Sequence, residues 1–147
     1  MCLAALAVAG GGALGALARY EIGLFLAAHV GAQLPWATLL INVSGAFALG
    51  FFMASGSAVL SSVALHRFVT VGFLGAFTTF STLSYEFLRL LQSQRPREAA
   101  LYLAATISLG VLAVWLGSLV AQHLASAREF GAVLAIKQAH RSAAHRP

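Results

Sequence analysis

The sequence predicts an all-α membrane protein with four transmembrane helices, the third of which is broken. Hydrophobic residues make up 60% of the 147 residues and charged residues only 9%, whereas soluble domains carry about 25%. The chain also contains long charge-free stretches, which suit the roughly 20 apolar residues that a bilayer-spanning helix needs. The third of these stretches carries a dense group of hydroxyl residues, and this group predicts the break.

The first two helices are predicted at about 3–28 and 36–56. Residues 22–66 contain no Asp, Glu, Lys or Arg, and this stretch is too long for a single span. It is interrupted by the sequence HVGAQLP, whose Pro35 disfavours helical geometry at Leu34 and suits a helix start near Trp36. Ser55, Gly56 and Ser57 form a stop signal for the second helix.

The third helix is predicted from about Ser61 to Leu91, and the fourth from about 98 to 124. The polar sequence QSQRPRE, residues 92–98, separates them as a loop. Residues 126–147 mix Ala, His, Arg and Lys with a short apolar patch. We expect this basic tail to be disordered or to lie at the membrane interface.

Charge and cysteine content exclude several function classes. Four of the nine basic residues lie in the last twenty, outside any apolar span, so the net charge of +5 does not indicate nucleic-acid binding. Cys2 is the only cysteine, which excludes an intrachain disulfide and a cysteine metal cluster. No nucleophile–base pair, metal-ligand set or nucleotide-binding loop indicates an enzyme. The N-terminus lacks a basic segment, so we expect the first apolar segment to be retained.

Glycines and two polar residues stand out in the first two helices. Gly11 and Gly15 form a GxxxG pair of the kind that lets helices approach closely in lipid. Arg19 near the end of the first helix is either an interfacial anchor or a residue that attracts anions into a vestibule. Asn42 lies between Ile41 and Val43, and it must face another helix or a wet cavity, where its amide could donate to an anion.

Residues 72–86, GFLGAFTTFSTLSYE, carry the strongest functional signal. Five hydroxyl residues fall within seven positions, namely Thr78, Thr79, Ser81, Thr82 and Ser84. Glycine followed by paired threonines suits a helix break, which at membrane depth must be buried or line a wet cavity. Carbonyl groups freed there can bind a cation. The alternative is a Ser/Thr-rich helix interface with hydroxyls bonded back to the backbone.

Two polar faces are predicted beside this break. Thr79, Thr82 and Glu86 lie on one helix face, at steps of three and four residues. Tyr102, Thr106 and Gly110 form a second, weaker stripe on the fourth helix.

Three motifs together resemble the Fluc/CrcB family of small fluoride channels. They are GGALGALARY at 11–20, TLLINVSG at 38–45 and the stretch at 72–86, and the match covers about residues 9–124. The resemblance implies that residues 1–125 are one subunit of a dual-topology homodimer, whose two copies insert antiparallel in the inner (plasma) membrane. It implies passive, fluoride-selective export that relieves fluoride toxicity.

The resemblance also implies site residues. Backbone carbonyls of Gly75 and Thr78 from both subunits would hold a structural sodium ion at the dimer interface, and Arg19 would lie at a vestibule. The fluoride pathway would include Asn42, Phe80, Ser81, Thr82, Glu86, Tyr102 and Thr106. Phe80 would present its ring edge to the ion, and Asn42 would donate to it. The sequence departs from the family at Leu83, where a second phenylalanine is usual, and at Ala76, where glycine is frequent.

Two other function classes stay open. A small proton-coupled multidrug or cation exporter also has four helices, but it relies on a carboxylate deep in its first helix. Here the candidate, Glu21, lies late in that helix and beside Arg19. A membrane assembly protein without transport would leave the hydroxyl residues unexplained. The Lys and Arg count is five against three between the two sides with the tail included, a small bias that is compatible with insertion in both orientations.

Overall fold

The computed structural model describes residues 2–30, 35–56, 60 and 62–144, with the backbone alone at 129 and 132–144. Four helical segments in this part of the chain are long and apolar enough to cross a membrane, and they confirm the four predicted spans: Cys2–Val30, Trp36–Ser55, Val63–Gln92 and Pro96–Arg128. The bounds of the first two and the end of the third agree with the predicted ones to within two residues. The predicted break at Leu34 and the predicted start at Ser61 lie outside the described residues.

The third span consists of several helical pieces. In chain order with their neighbours, the elements are α1 (Cys2–Val30), α2 (Trp36–Ser55), α3 (Val63–Arg67), a π-helical segment (Phe68–Phe73), α4 (Leu74–Phe77), α5 (Phe80–Gln92) and α6 (Pro96–Ala144). Between α4 and α5, Thr78 and Thr79 adopt extended backbone angles, with ψ of 155° and 116°. The predicted helix break is therefore confirmed, and these two residues form it. The π-helical segment was not predicted.

α1 packs against the first half of the third span through its glycines. A Cβ atom at Gly11 would collide with the carbonyl oxygen of Phe68, and one at Gly15 would collide with that of Phe73. Only glycine permits this approach of the two backbones. The packing role predicted for the GxxxG pair is confirmed.

α2 and α6 pack together in the same way. A Cβ atom at Gly50 would collide with the carbonyl oxygen of Val114, and one at Gly117 with that of Phe47. Gly110, in contrast, has open space where a Cβ would lie, so it makes no such contact within the subunit.

α6 is much longer than predicted. It has 49 residues and ends at Ala144, whereas the sequence suggested an end near residue 124. At 1.5 Å per residue it extends about 73 Å, more than twice the roughly 30 Å hydrocarbon core. From residue 125 onwards alanine is frequent and the first proline is residue 147, so little interrupts the helix there. Whether this extension lies at the membrane interface stays a prediction.

Few residues of each span are fully buried within the chain. Between 11% and 22% of the residues in the most apolar part of each span are buried, so lipid or another chain must cover the rest. The main buried cluster joins α5 to α6 and comprises Leu83, Leu90, Ala99 and Tyr102. It lies beside the polar residues described next.

Candidate functional site

The helix break is held by local capping at both ends. The Thr78 hydroxyl donates to the carbonyl of Leu74 at 3.0 Å, and the Thr78 amide donates to the same carbonyl at 3.1 Å. On the other side, the Thr79 side chain accepts a hydrogen bond from the Thr82 amide at 3.2 Å, which makes it the N-cap of α5. The Thr79 hydroxyl therefore caps the start of α5, while the Thr78 hydroxyl bonds back to the last turn of α4.

Asn42 of α2 contacts the break directly. Its amide nitrogen donates to the Thr79 carbonyl at 3.1 Å, and its amide oxygen accepts from the Thr79 backbone N–H at 2.8 Å. The prediction that Asn42 faces another helix or a cavity is confirmed. Gly45, one turn further along α2, keeps the approach close, since a Cβ there would collide with the Thr78 methyl group.

Three hydroxyls gather at the start of α5. The Thr79 hydroxyl donates to that of Thr82 at 3.0 Å, and it lies 3.3 Å from the Ser81 hydroxyl, where either oxygen can be the donor. We call Thr79, Ser81 and Thr82 the hydroxyl cluster. It lies at a helix N-terminus, whose partial positive charge favours anions.

A second polar group joins three helices around a carboxylate. The Thr38 hydroxyl of α2 donates to one oxygen of Glu86 at 2.9 Å, and the Tyr102 hydroxyl of α6 donates to the other at 2.7 Å. We call Thr38, Glu86 and Tyr102 the carboxylate cluster. Thr106, one turn beyond Tyr102, is buried and donates to the Tyr102 carbonyl at 2.8 Å, so its hydroxyl is bonded within its own helix.

Phe80 and Leu83, the positions where the family usually has two phenylalanines, differ sharply in exposure. Phe80 is 79% exposed, the largest fraction recorded for a large hydrophobic residue in the described part of the chain, whereas Leu83 is 5% exposed. Leu83 packs in the buried cluster with Leu90, Ala99 and Tyr102. The residue that departs from the family pattern is thus part of the α5–α6 core, while Phe80 makes little contact within the chain.

A cavity of about 330 Å³ opens beside the break. It brings together four of the residues singled out from the sequence, Asn42, Gly75, Thr78 and Phe80. Leu83 and the buried Thr79 also line it. We call this space the break cavity. Its lining thus includes residues of the helix break and the amide side chain of Asn42, which the sequence suggested for ions.

Other predicted site residues lie outside the break cavity. Ser81 and Thr82 belong to the hydroxyl cluster, and Glu86 and Tyr102 to the carboxylate cluster. Arg19 is half-buried on α1 and lines neither the cavity nor these clusters. Glu21, the carboxylate considered for an exporter, is exposed.

Two residues gain importance that sequence reasoning did not give them. Thr38 had no assigned role, and Thr79 was placed at the helix break and on a polar face but not in contact with Asn42. Thr38 precedes Asn42 by four residues, so the two share one face of α2, and this spacing was the available signal. The contact of the Thr79 backbone with Asn42 could not be recognised from spacing, because the two residues are 37 positions apart in the sequence.

The chain matches one family model, described as CrcB-like protein, Camphor Resistance (CrcB), over residues 6–118. It is 43% identical over 118 residues to a protein of Acidobacterium capsulatum, covering 80% of this chain and 94% of the relative. It is 44% identical to a Thermus thermophilus protein (76% and 88% covered) and 42% identical to one of Geobacter sulfurreducens (81% and 97% covered). Each of the three is described as the fluoride-specific ion channel FluC.

Proposed function

Because the chain belongs to the CrcB-like family, we propose that it is a fluoride-selective ion channel that exports fluoride passively and so relieves fluoride toxicity. One observation carries this proposal, the identity above 40% to proteins described as fluoride-specific ion channels over at least three quarters of the chain. Such a channel performs no chemical reaction, so the proposal assigns no enzymatic activity.

The chemistry of the break cavity supports fluoride as the ion. Fluoride is small and strongly hydrated, so a pathway must replace its water with close hydrogen-bond donors. Asn42 carries two amide hydrogens, of which one bonds to Thr79, and the cavity wall contains both residues. The positive edge of the exposed Phe80 ring offers a further, weaker contact to an anion.

The proposed path continues through the two polar clusters. The hydroxyl cluster flanks Phe80 at the start of α5, and Glu86 of the carboxylate cluster lies one to two turns further along the same helix. In this path Ser81 and Thr82 offer hydroxyls, while Tyr102 and Thr38 donate theirs to Glu86 and hold its carboxylate in place. Thr106 extends the path along α6, and Arg19 attracts anions at a vestibule.

A structural sodium ion fits the residues at the break. Extended backbone at Thr78 turns its carbonyl out of the helical hydrogen-bond direction, and unwound carbonyls of this kind suit sodium. Gly75 lines the same cavity and has open space around its Cα. One copy would contribute these two carbonyls, and a second copy would double the ligand set. The ion would place a fixed positive charge beside the anion path.

We further propose that two copies insert antiparallel in the inner membrane. The break cavity opens at the surface of the subunit, and the bulky Phe80 beside it is almost fully exposed. A second copy placed on this surface would close the cavity and bring the two breaks together. The small difference in Lys and Arg between the two sides of the chain supports insertion in both orientations.

Fluoride efflux from reconstituted liposomes tests the function. Liposomes loaded with potassium fluoride are diluted into fluoride-free buffer with valinomycin, and a fluoride electrode follows the external ion. We expect fast fluoride efflux that is unchanged by collapsing the proton gradient, and no comparable chloride efflux. Folded, reconstituted protein without fluoride efflux would refute the proposal, and flux driven by a proton gradient and carrying organic cations would favour the exporter instead.

A further inference from the structure

The backbone at the helix break requires hydrogen-bond partners from elsewhere in the chain. Thr79 has φ of −149° and ψ of 116°, so its N–H and carbonyl leave the helical pattern. Within a membrane span, an unsatisfied backbone group costs several kcal/mol. The side chain of Thr79 is already engaged with Thr82, so it cannot satisfy its own backbone.

A single side chain satisfies both groups. Asn42 accepts from the Thr79 N–H at 2.8 Å and donates to the Thr79 carbonyl at 3.1 Å. The side-chain amide has the same planar donor and acceptor as a peptide group, so the contact reproduces the paired hydrogen bonds between two extended strands. Among the polar side chains that fit in this space, a carboxylate lacks the donor and a single hydroxyl cannot span both groups.

This contact fixes the residues on either side of Thr79. Thr78 precedes it and lines the break cavity, and Phe80 follows it with a largely exposed ring. Because the peptide units on both sides of Thr79 are involved, rotation of its backbone would move the Thr78 carbonyl and the Phe80 ring together. Asn42 is therefore placed to set the geometry of both.

We infer that Asn42 is a positioning residue, whose paired hydrogen bonds to the Thr79 backbone hold the helix break open. This role is separate from donation to fluoride by its second amide hydrogen. The consequence for transport rests on the proposed function, since only there do the Thr78 carbonyl and the Phe80 ring meet ions. The structural role itself does not depend on it.

Residue-resolved amide hydrogen exchange on the full-length protein in detergent tests the inference. In the unmodified protein, the Thr79 amide should exchange far more slowly than its sequence alone dictates, although it lies outside a helix. In Asn42→Ala and Asn42→Leu, it should exchange roughly tenfold faster or more, because both paired bonds are lost. Asn42→Asp, which keeps an acceptor but loses the donor, should fall between them.

Ser44→Ala is the matched control. The Ser44 hydroxyl lies on the same helix and donates only to the Ile41 carbonyl within that helix, so its removal should leave Thr79 exchange unchanged. Fluoride efflux is measured on the same samples. An Asn42 variant that loses efflux while Thr79 exchange stays slow would overturn the inference and assign Asn42 to the ion alone. If the variants fail to fold, the unmodified protein still tests the inference. Fast, unprotected exchange of the Thr79 amide in that protein would also overturn the inference.

Discussion

The hydroxyl of Tyr102 donates a 2.7 Å hydrogen bond to the carboxylate of Glu86, which joins α6 to α5. The other carboxylate oxygen accepts from Thr38 on α2, so three helices meet at one side chain. Tyr102 is 6% exposed and also packs in the buried α5–α6 cluster. Helix packing and the proposed anion path therefore share a residue.

Tyr102→Phe should weaken both functions of this contact. The change leaves one Glu86 oxygen without its donor, which should cost about 1–3 kcal/mol of unfolding free energy. Fluoride efflux should also fall, since Glu86 on the proposed path loses one of the two hydroxyls that hold its carboxylate. Tyr85→Phe is the control, because Tyr85 is 63% exposed and lies beside Glu86 in sequence. Equal stability and equal efflux in both variants would contradict the role given to Tyr102.

Phe80→Ile should abolish fluoride efflux and leave folding of the subunit almost unchanged. The ring is 79% exposed, so its replacement removes little packing, and we expect a stability change within about 0.5 kcal/mol. Phe130→Ile is the control, because Phe130 is also a phenylalanine, is 67% exposed and lies beyond the residues that match the family. Fluoride efflux should persist in this variant. Electrode measurements on both variants decide, and normal efflux in Phe80→Ile would remove Phe80 from the path.

Leu83→Phe should destabilise the protein, although it restores the aromatic residue usual in the family. Leu83 is 5% exposed within the α5–α6 core, so a larger ring must displace its neighbours, at a cost of about 1–3 kcal/mol. Leu88→Phe on the same helix is the control, since Leu88 is 50% exposed. Chemical unfolding of the two variants measures the difference. A Leu83→Phe protein as stable as the unmodified one would show that the ring turns into the break cavity.

Gly75→Cys, combined with Cys2→Ser, should form a disulfide between two copies under mild oxidation. A Cβ at Gly75 meets no atom within 4 Å, so the cysteine fits. In the proposed dimer it would lie where the breaks of the two copies come together. Gly23→Cys in the same background is the control, as its Cβ site is equally open but lies on α1. Denaturing electrophoresis should show twice the 15.3 kDa chain mass for the first variant only. A monomer in both would argue against the antiparallel dimer.

Cys2 should report both membrane orientations. It is the only cysteine, and it is exposed at the start of α1. In sealed vesicles, a membrane-impermeant maleimide should label roughly half of the protein, and the rest only after detergent is added, because the charge bias is small. Labelling of all or none of the protein before detergent would indicate one orientation and contradict dual topology.

Several features could be predicted from the sequence because they follow from local composition. The four spans follow from the charge-free stretches, and the GxxxG packing of α1 follows from glycine spacing. The break at Thr78 and Thr79 also follows locally, because glycine and paired threonines weaken the helix while their hydroxyls cap its ends. The length of α6 was not predicted. The polar residues after 124 suggested that the helix ends there, but the alanines among them favour its continuation.

The sequence by itself determined that this chain spans a membrane. It also determined that polar residues lie near a break in the third span. Only the tertiary structure decided which of those residues contact each other. Asn42 meets Thr79 across 37 residues, and Glu86 meets Thr38 across 48. Leu83 is buried while Phe80, three residues earlier, is exposed. The physical reason is that such contacts depend on how glycine-lined helices approach and rotate against each other, which spacing within one helix does not specify.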